Sequence, residues 1–356
     1  MANYVKIILG LLKIGGIKLD TKNLLLKLSS IHGPSGYEYK ITEEIKSIML
    51  DLSDECFISK MGSLICIKKG EGKGKIGLFA HVDQLGFVIS KIDSMGYAYV
   101  EEIGGWDPKV VAGQRAIIYS NDKEFKGIFG FLAPHLQKKD ERQKMPDFDG
   151  LFLDISMNEN WQEIEVGDIV MLDGLEGFES NNFVFAPALD NRASCTSIIK
   201  VAEMLKKMKH SFDVYYIFST QEEIGGPGAP TSAFLTELDY AFVIDVTHGD
   251  EKIPGYNKIE INKGPAIAFG PVIDKKFNEK VRKIAKKYNI NYQLEPIPRN
   301  SGTDTDAIQL VRSGIMTQLI SIPLKYMHTP YEKVSVKDVE DTAKLMAFTI
   351  LEMEVL

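Results

Sequence analysis

The stretch Lys75-Ile76-Gly77-Leu78-Phe79-Ala80-His81-Val82-Asp83 decides the fold. It is an apolar run of strand length that stops on a histidine, with an aspartate two residues on. A strand covered on both faces reads as a near-continuous apolar run rather than an alternation. The same pattern returns at 212–219, 240–244 and 315–322. Helical spacing fills the intervals: Ile198, Val201, Ala202 and Leu205 share one face of a helix predicted over 192–208. Further helices are expected at 275–288 and 336–353, the last opened by Ser335 and Asp338 in a capping-box-like start. Strands alternating with helices predict an α/β fold with a largely parallel sheet covered on both sides.

Upstream, Leu24, Leu25, Leu28 and Ile31, then Ile41, Ile45 and Ile48, recur at helical spacing on either side of the turn Gly33-Pro34-Ser35-Gly36. From Gly86 to about Asp173 the character changes. Short strand-like pieces are broken by Gly104-Gly105, Gly113, Gly127, Gly130 and Pro134, and helical periodicity is absent. A small β-rich domain is therefore inserted into the α/β domain, with expected boundaries 1–83, 84–178 and 179–356. Lys138–Lys144 is a charge run, read as an exposed loop.

The chain has 356 residues, 44% of them hydrophobic, enough for a large core. Forty-nine acidic against 42 basic side chains leave a net charge of -7, which argues against nucleic acid as a partner. No run reaches the roughly 20 apolar residues that a membrane span needs. In Met1–Leu19, Lys6, Lys13 and Lys18 interrupt the apolar residues, and no small-residue cleavage pattern follows. This segment reads as an N-terminal arm. Cys56, Cys66 and Cys195 are sparse, odd in number and without CxxC spacing. They predict a reducing, cytoplasmic setting with no disulfide framework and no thiolate metal site.

Ligands of open α/β sheets sit beyond the carboxyl ends of the strands. The residues found there are His81 and Asp83, then Asp190, then Glu222 and Glu223, then Asp245, then His328. Each has an ordinary explanation taken alone: a surface histidine, an aspartate capping the next helix, a solvated glutamate pair. Five such coincidences at five strand ends are improbable together. Imidazoles suit zinc and cobalt, and carboxylates can bridge two ions. Two ions about 3.5–4 Å apart can activate a water and polarise a carbonyl. Glycoside hydrolases also pair carboxylates, but they have no use for His81, Asp245 and His328. Between Glu222 and Glu223 the bare sequence does not choose a metal ligand. Asp304 either caps the following helix or reads a substrate ammonium group. His32, His135, His210 and His248 lack a strand-end context.

The ordered set of motifs resembles a known family. It includes Gly33-Pro34-Ser35-Gly36-Tyr37-Glu38, Ala80-His81-Val82-Asp83, Gly104-Gly105-Trp106-Asp107-Pro108 and Ala188-Leu189-Asp190-Asn191-Arg192. It continues through Gln221-Glu222-Glu223, Asp245-Val246-Thr247-His248, Gly302-Thr303-Asp304 and His328-Thr329-Pro330-Tyr331-Glu332. From about Leu24 to Met353 the chain resembles the glutamyl and deblocking aminopeptidases, the tetrahedral TET group of dinuclear metallopeptidases (metallopeptidase family forty-two). The resemblance implies a three-layer α/β/α catalytic domain with an inserted β-rich dimerisation domain, assembling as dimers and often as twelve-subunit tetrahedra. It implies that His81 and Asp245 bind one divalent ion and Glu223 and His328 the other. Asp190 would bridge them, Asp83 would orient His81, and Glu222 would be the general base in removing N-terminal residues from peptides. Gln84 stands where the family usually has glutamate, and Ile224-Gly225-Gly226 where it often has Gly-Leu-Arg. Both departures fall near the expected substrate cleft, which makes Gln84, with Asp304, a candidate substrate contact.

Overall fold

The computed structural model describes residues 20–133, 135, 147–254 and 257–353. The N-terminal arm and the Lys138–Lys144 run lie outside the described residues.

Among the described residues, 11 strands form one sheet. Its continuous order is Glu55–Ile58, Leu64–Lys68, Asp213–Ser219, Lys75–His81, Tyr240–His248, Met316–Lys325, Glu332–Ser335, Phe183–Ala186 and Phe178–Ser180. The four strands from Asp213–Ser219 to Met316–Lys325 are mutually parallel, and antiparallel pairs flank them. Alternate side chains of these central strands enter two separate cores. Leu78 and Ala80 pack on one face with the helices Leu189–Leu205, Lys275–Lys287 and Val336–Glu352. Phe79 packs on the other with Ala229, Ala233 and Ile308 from the shorter helices Gly228–Thr236 and Thr305–Ile308. The result is the expected three layers. Near its start, Asp20 caps Thr21–Ser29 by accepting from the Asn23 N–H, and that helix buries Leu24, Leu25 and Leu28.

The middle third closes into a six-stranded barrel, between Gly86–Ile92 and Ile169–Leu172. Phe87, Phe129 and Leu153 fill it. One hairpin shows how local sequence sets its register. Ser120 pairs with Lys123, and the intervening Asn121 and Asp122 both have positive φ, at 46° and 62°. Two left-handed residues make the turn that matches the strand twist, and Asn and Asp tolerate that conformation.

Two expectations need correction. Strand register sets Cys56 opposite Cys66 in the first hairpin, and the structure joins them as a disulfide with Cα atoms 4.1 Å apart. Their spacing in sequence carried no sign of a partner across a hairpin. Cys195 stays free and buried. The capping box is also not formed. Ser335 makes no side-chain cap, because its hydroxyl donates to Asn262 Oδ1 instead. Asp338 accepts from the N–H groups of Asn262 and Gly264, so it clamps a distant loop.

Candidate metal centre

The strands Lys75–His81 and Tyr240–His248 stop pairing at Phe79 and Val243, two residues before His81 and Asp245. Parting strands at the carboxyl end of a parallel sheet open a crevice. His81 and Asp245 lie on its two sides, His81 Nε2 3.8 Å from Asp245 Oδ1.

Asp190 enters where the helix Leu189–Leu205 begins irregularly. Ala188 is left-handed with φ 52°, and Asp190 itself is non-helical. Its carboxylate spans the centre: Oδ1 is 3.2 Å from His81 Nε2, and Oδ2 is 3.5 Å from His328 Nε2. His328 Nε2 is also 3.6 Å from Glu223 Oε1. Two ligand groups result, His81–Asp190–Asp245 and Asp190–Glu223–His328, with Asp190 common to both. Glu222 joins His81 and Glu223 in a third.

Buried carboxylates hold this arrangement from behind. Asp83 is fully buried and accepts from the Glu222 and Glu223 N–H groups at 3.0 and 3.1 Å and from the Ser35 hydroxyl at 2.6 Å. It therefore fixes both glutamates, as well as standing 3.5 Å from His81 Nδ1, whose nearer neighbour is the Asp83 carbonyl at 3.2 Å. Glu332, also buried, accepts from the Asp190 and His328 N–H groups, each at 2.9 Å. Glu38 accepts from the N–H of Gln221, a left-handed residue with φ 63°. His328 is left-handed too, at φ 58°, and its Nδ1 lies 3.0 Å from the Gly105 carbonyl beyond the barrel. Three non-glycine residues in a sparsely populated backbone region, each at or within two residues of a metal-group residue, mark a site whose surroundings over-determine it. Sequence reasoning assigned no role to Glu332, Glu38 or Gly105. Glu332 was visible only as the fourth residue after His328, and its burial depends on the fold.

The electrostatics call for cations. Burial pushes Glu222 up to about 8, with Asp304, Glu223 and Asp190 adding repulsion. Burial also raises Glu223, and raises Asp245 well above the usual carboxylate range. The carboxylates of Asp190 and Glu223 beside it lift His328 to about 11. Burial pulls His81 down, but the neighbouring carboxylates of Asp190 and Asp83 outweigh that and raise it. Protons thus stand where divalent ions would neutralise the same carboxylates. The donor set fits such ions: imidazole nitrogens and carboxylate oxygens converge, and the buried Oδ1 of Asp190 has no hydrogen-bond partner.

The centre forms the floor of a cavity of about 400 Å³, walled by Ile253, Ile259, Ile297, Leu319 and Met327 among others. His248 reaches its wall as an exposed side chain, 3.2 Å from Glu251. Neither candidate substrate contact lines this cavity, though Gln84 lines a smaller one shared with Asp190, Glu223 and His328. Asp304 is buried below the larger one, accepting from the Ser219 hydroxyl at 2.9 Å, and burial raises it to about 7. It makes no helix cap either. A side chain at Gly226 would meet Asp304 Oδ1 at 2.9 Å, so glycine is needed there. Gln84 sits behind the centre, where it accepts from the Gly33 N–H at 3.2 Å and from Arg192 at 3.3 Å.

An open α/β sheet with two imidazoles and clustered carboxylates at its strand ends is the framework of a metal-dependent hydrolase. A family model for the M42 glutamyl aminopeptidases matches residues 62–345. The lysyl aminopeptidase of Pyrococcus furiosus is 34% identical, over 93% of this chain and 97% of its own length. Among solved structures, the aminopeptidase APDkam598 of Desulfurococcus kamchatkensis has a TM-score of 0.85 at 32% identity, covering 94% of this chain and 95% of that one. The TET1 peptidase of Pyrococcus horikoshii, described as assembling into a tetrahedron or a large octahedral shell, has a TM-score of 0.83 at 27% identity, covering 94% and 100%. The chain belongs to the M42 family of metal-dependent aminopeptidases. Among the described residues, no helix is long and apolar enough to cross a membrane.

Proposed function

We propose that this aminopeptidase holds two divalent ions, zinc or cobalt, one at His81 and Asp245 and one at Glu223 and His328, with Asp190 shared between them. The observation that carries this reading is the Asp190 carboxylate, whose two oxygens face the two histidines separately. When bound, the ions would supply an activated water and polarise the scissile carbonyl. Glu222 is the general base: it takes the proton of that water and passes it to the leaving amine. Glu222 lines the cavity and shares a ligand group with His81 and Glu223, which puts its carboxylate beside the place such a water would occupy. Asp83 and Glu332 are positioning residues, fixing the backbone of Glu222, Glu223, Asp190 and His328. Asp304 and Gln84 support this shell from behind. In this reading residues 84–178 form the assembly domain, taking the chain to dimers and to a tetrahedral dodecamer of a cytoplasmic peptidase.

Exhaustive chelation should abolish hydrolysis of aminoacyl chromogenic substrates, and zinc or cobalt should restore it. N-terminal acetylation of a good substrate should stop cleavage. Full turnover by verified metal-free protein would refute the reading.

A further inference from the structure

The two ligand groups of the centre are supported unequally. His81 and Asp245 are held from within the α/β domain: His81 Nδ1 lies 3.2 Å from the Asp83 carbonyl, and Asp245 Oδ1 accepts from the Val246 N–H at 2.8 Å. His328 is held in two parts. Its backbone N–H is tied to Glu332, but the one described hydrogen bond to its ring comes from outside that domain, at the Gly105 carbonyl. Gly105 belongs to the segment that leads from the barrel strand Tyr97–Ile103 into the short helix Pro108–Val111. The residue before it leans on the other ligand of the same group. Gly104 has φ 79°, and a side chain there would meet Glu223 Cβ at 3.3 Å and Leu85 Cδ2 at 2.3 Å. Conformation and close approach both demand glycine. One stretch of the barrel thus touches Glu223 and His328. Among the described hydrogen bonds and ion pairs, none joins residues 86–173 to the side chains of His81 or Asp245.

A carbonyl oxygen can accept but not donate, so His328 Nδ1 must carry a proton toward Gly105, and Nε2 is the nitrogen left to ligate. Nε2 faces Asp190 Oδ2 at 3.5 Å and Glu223 Oε1 at 3.6 Å. The orientation of the ring therefore depends on where the Gly105 carbonyl points. Two successive glycines cannot hold a carbonyl by themselves, because their backbone is the most permissive of all. The next residue can. The Trp106 ring stacks on Phe87, with centroids 5.5 Å apart and planes 13° from parallel, and Phe87 is fully buried in the barrel core. Beyond it, Asp107 caps the short helix by accepting from the Lys109 N–H. The buried Nε1 of Trp106 has no hydrogen-bond partner, so contact of the ring is what anchors the indole. On its other side Trp106 lines the small cavity behind Glu223 and His328.

We infer that Trp106 is a positioning residue supplied by the inserted barrel: stacked on Phe87, it aims the Gly105 carbonyl at His328 Nδ1 and so sets the imidazole that completes the Glu223–His328 ion site. The His81–Asp245 site does not depend on it. This rests on the two-ion reading above and deepens it, by making one of the two sites answer to the barrel and the other to the α/β domain alone. Outer partners that orient a ligating histidine typically contribute about 10- to 100-fold in metal affinity.

The test titrates the metal-free full chain with zinc at fixed pH and counts bound ions by equilibrium dialysis and elemental analysis. Wild type should take up two. Trp106→Ala should keep one at wild-type affinity and bind the other about 10- to 100-fold more weakly. Trp106→Phe keeps the stack and loses no hydrogen bond, so it should bind both ions like wild type. Turnover of Trp106→Ala should fall at stoichiometric zinc and return with excess zinc, because the ligands themselves are intact. Leu153→Ala removes a fully buried barrel side chain outside the Phe87–Trp106 pair and should leave both affinities unchanged. Should the alanine variant not fold, Trp106→Leu keeps apolar bulk, removes the stack and gives the same readout. Unchanged affinities in the unstacked variant, equal weakening of both ions, or the same loss in Leu153→Ala would each overturn the assignment. A wild type that binds a single ion would refute the two-ion reading instead, and the role of Trp106 would then stand only if its substitution weakens that ion.

Discussion

The barrel and the strand-end crevice are built from one chain by opposite rules. Inside the barrel, Phe87 stacks on Trp106 and tilts against Phe129, and Leu151, Leu153 and Val170 complete a core in which Ser120 is the single buried polar residue described. In the crevice, Asp83, Asp190, Asp245 and Glu332 are buried within one cluster, with left-handed residues at Ala188, Gln221 and His328. Burying apolar area stabilises, whereas burying carboxylates costs several kcal/mol each unless they are paired. A fold that keeps four such groups together is storing that cost for chemistry, and the barrel is the counterweight that needs no ligand. The two regions should therefore respond to substitution in different observables.

The largest separation is expected at Glu222. Glu222→Gln keeps volume and removes the proton acceptor, so turnover should fall by about 10²–10⁴-fold. Metal content by elemental analysis and the unfolding midpoint should stay near wild type. Near-normal turnover would remove Glu222 from the base role. Loss of metal in step with turnover would make it a ligand instead.

Phe129→Ala is the barrel's mirror image. Phe129 is fully buried and 5.1 Å from Phe87 between ring centroids, so truncation should cost about 3–5 kcal/mol of stability. Denaturant melting should report that loss, while the metal bound per folded chain stays unchanged. Should the metal fall too, the Gly105–His328 contact couples the regions more tightly than the packing suggests.

The crevice should also answer to pH where the barrel does not. In metal-free protein His328 is raised to about 11 and Glu222 to about 8, so both hold protons at pH 7. Ions must displace the His328 proton to use its nitrogen. Affinity should thus rise with pH and be lost as pH falls, by about tenfold per unit for each proton released. Calorimetric titration of zinc at pH 7 in two buffers of different ionisation enthalpy counts those protons. A count of zero would mean that the centre is already deprotonated.

The sequence revealed the two regions unequally. The central strands were readable because both faces are buried, which turns Leu78-Phe79-Ala80 into an unbroken apolar run. The strand-end ligands were readable because topology places strand ends together. The barrel showed only as glycine-punctuated strands, since its closure depends on pairing Gly86–Ile92 with Ile169–Leu172 across some eighty residues. Glu332 and Glu38 were silent because only burial distinguishes a backbone-fixing carboxylate from a solvated one. Cys56 and Cys66 were misread because hairpin register, not spacing, made them partners.

The smallest expected effect concerns Gln84, which lies on the seam between scaffold and centre. Arg192 is completely buried behind the metal groups, and burial lowers it to about 10. One amino group reaches Gln84 Oε1 at 3.3 Å and the Ile31 carbonyl at 3.4 Å, while Nε and Nη1 find no hydrogen-bond partner. A buried guanidinium facing a neutral amide is under-compensated, with Asp83 and Glu38 acting on it only through space. Gln84→Glu keeps the shape and both acceptor contacts, to Gly33 and to Arg192, and adds the missing charge. Against this stands the repulsion of the carboxylates nearby, so the net gain should be modest, about 1 kcal/mol of stability. Denaturant melting should show a higher midpoint, with kcat/KM within about twofold because Gln84 does not reach the large cavity. A lower midpoint would show that Asp83 and Glu38 already balance Arg192. A specific change in substrate preference would return Gln84 to the substrate side of the centre.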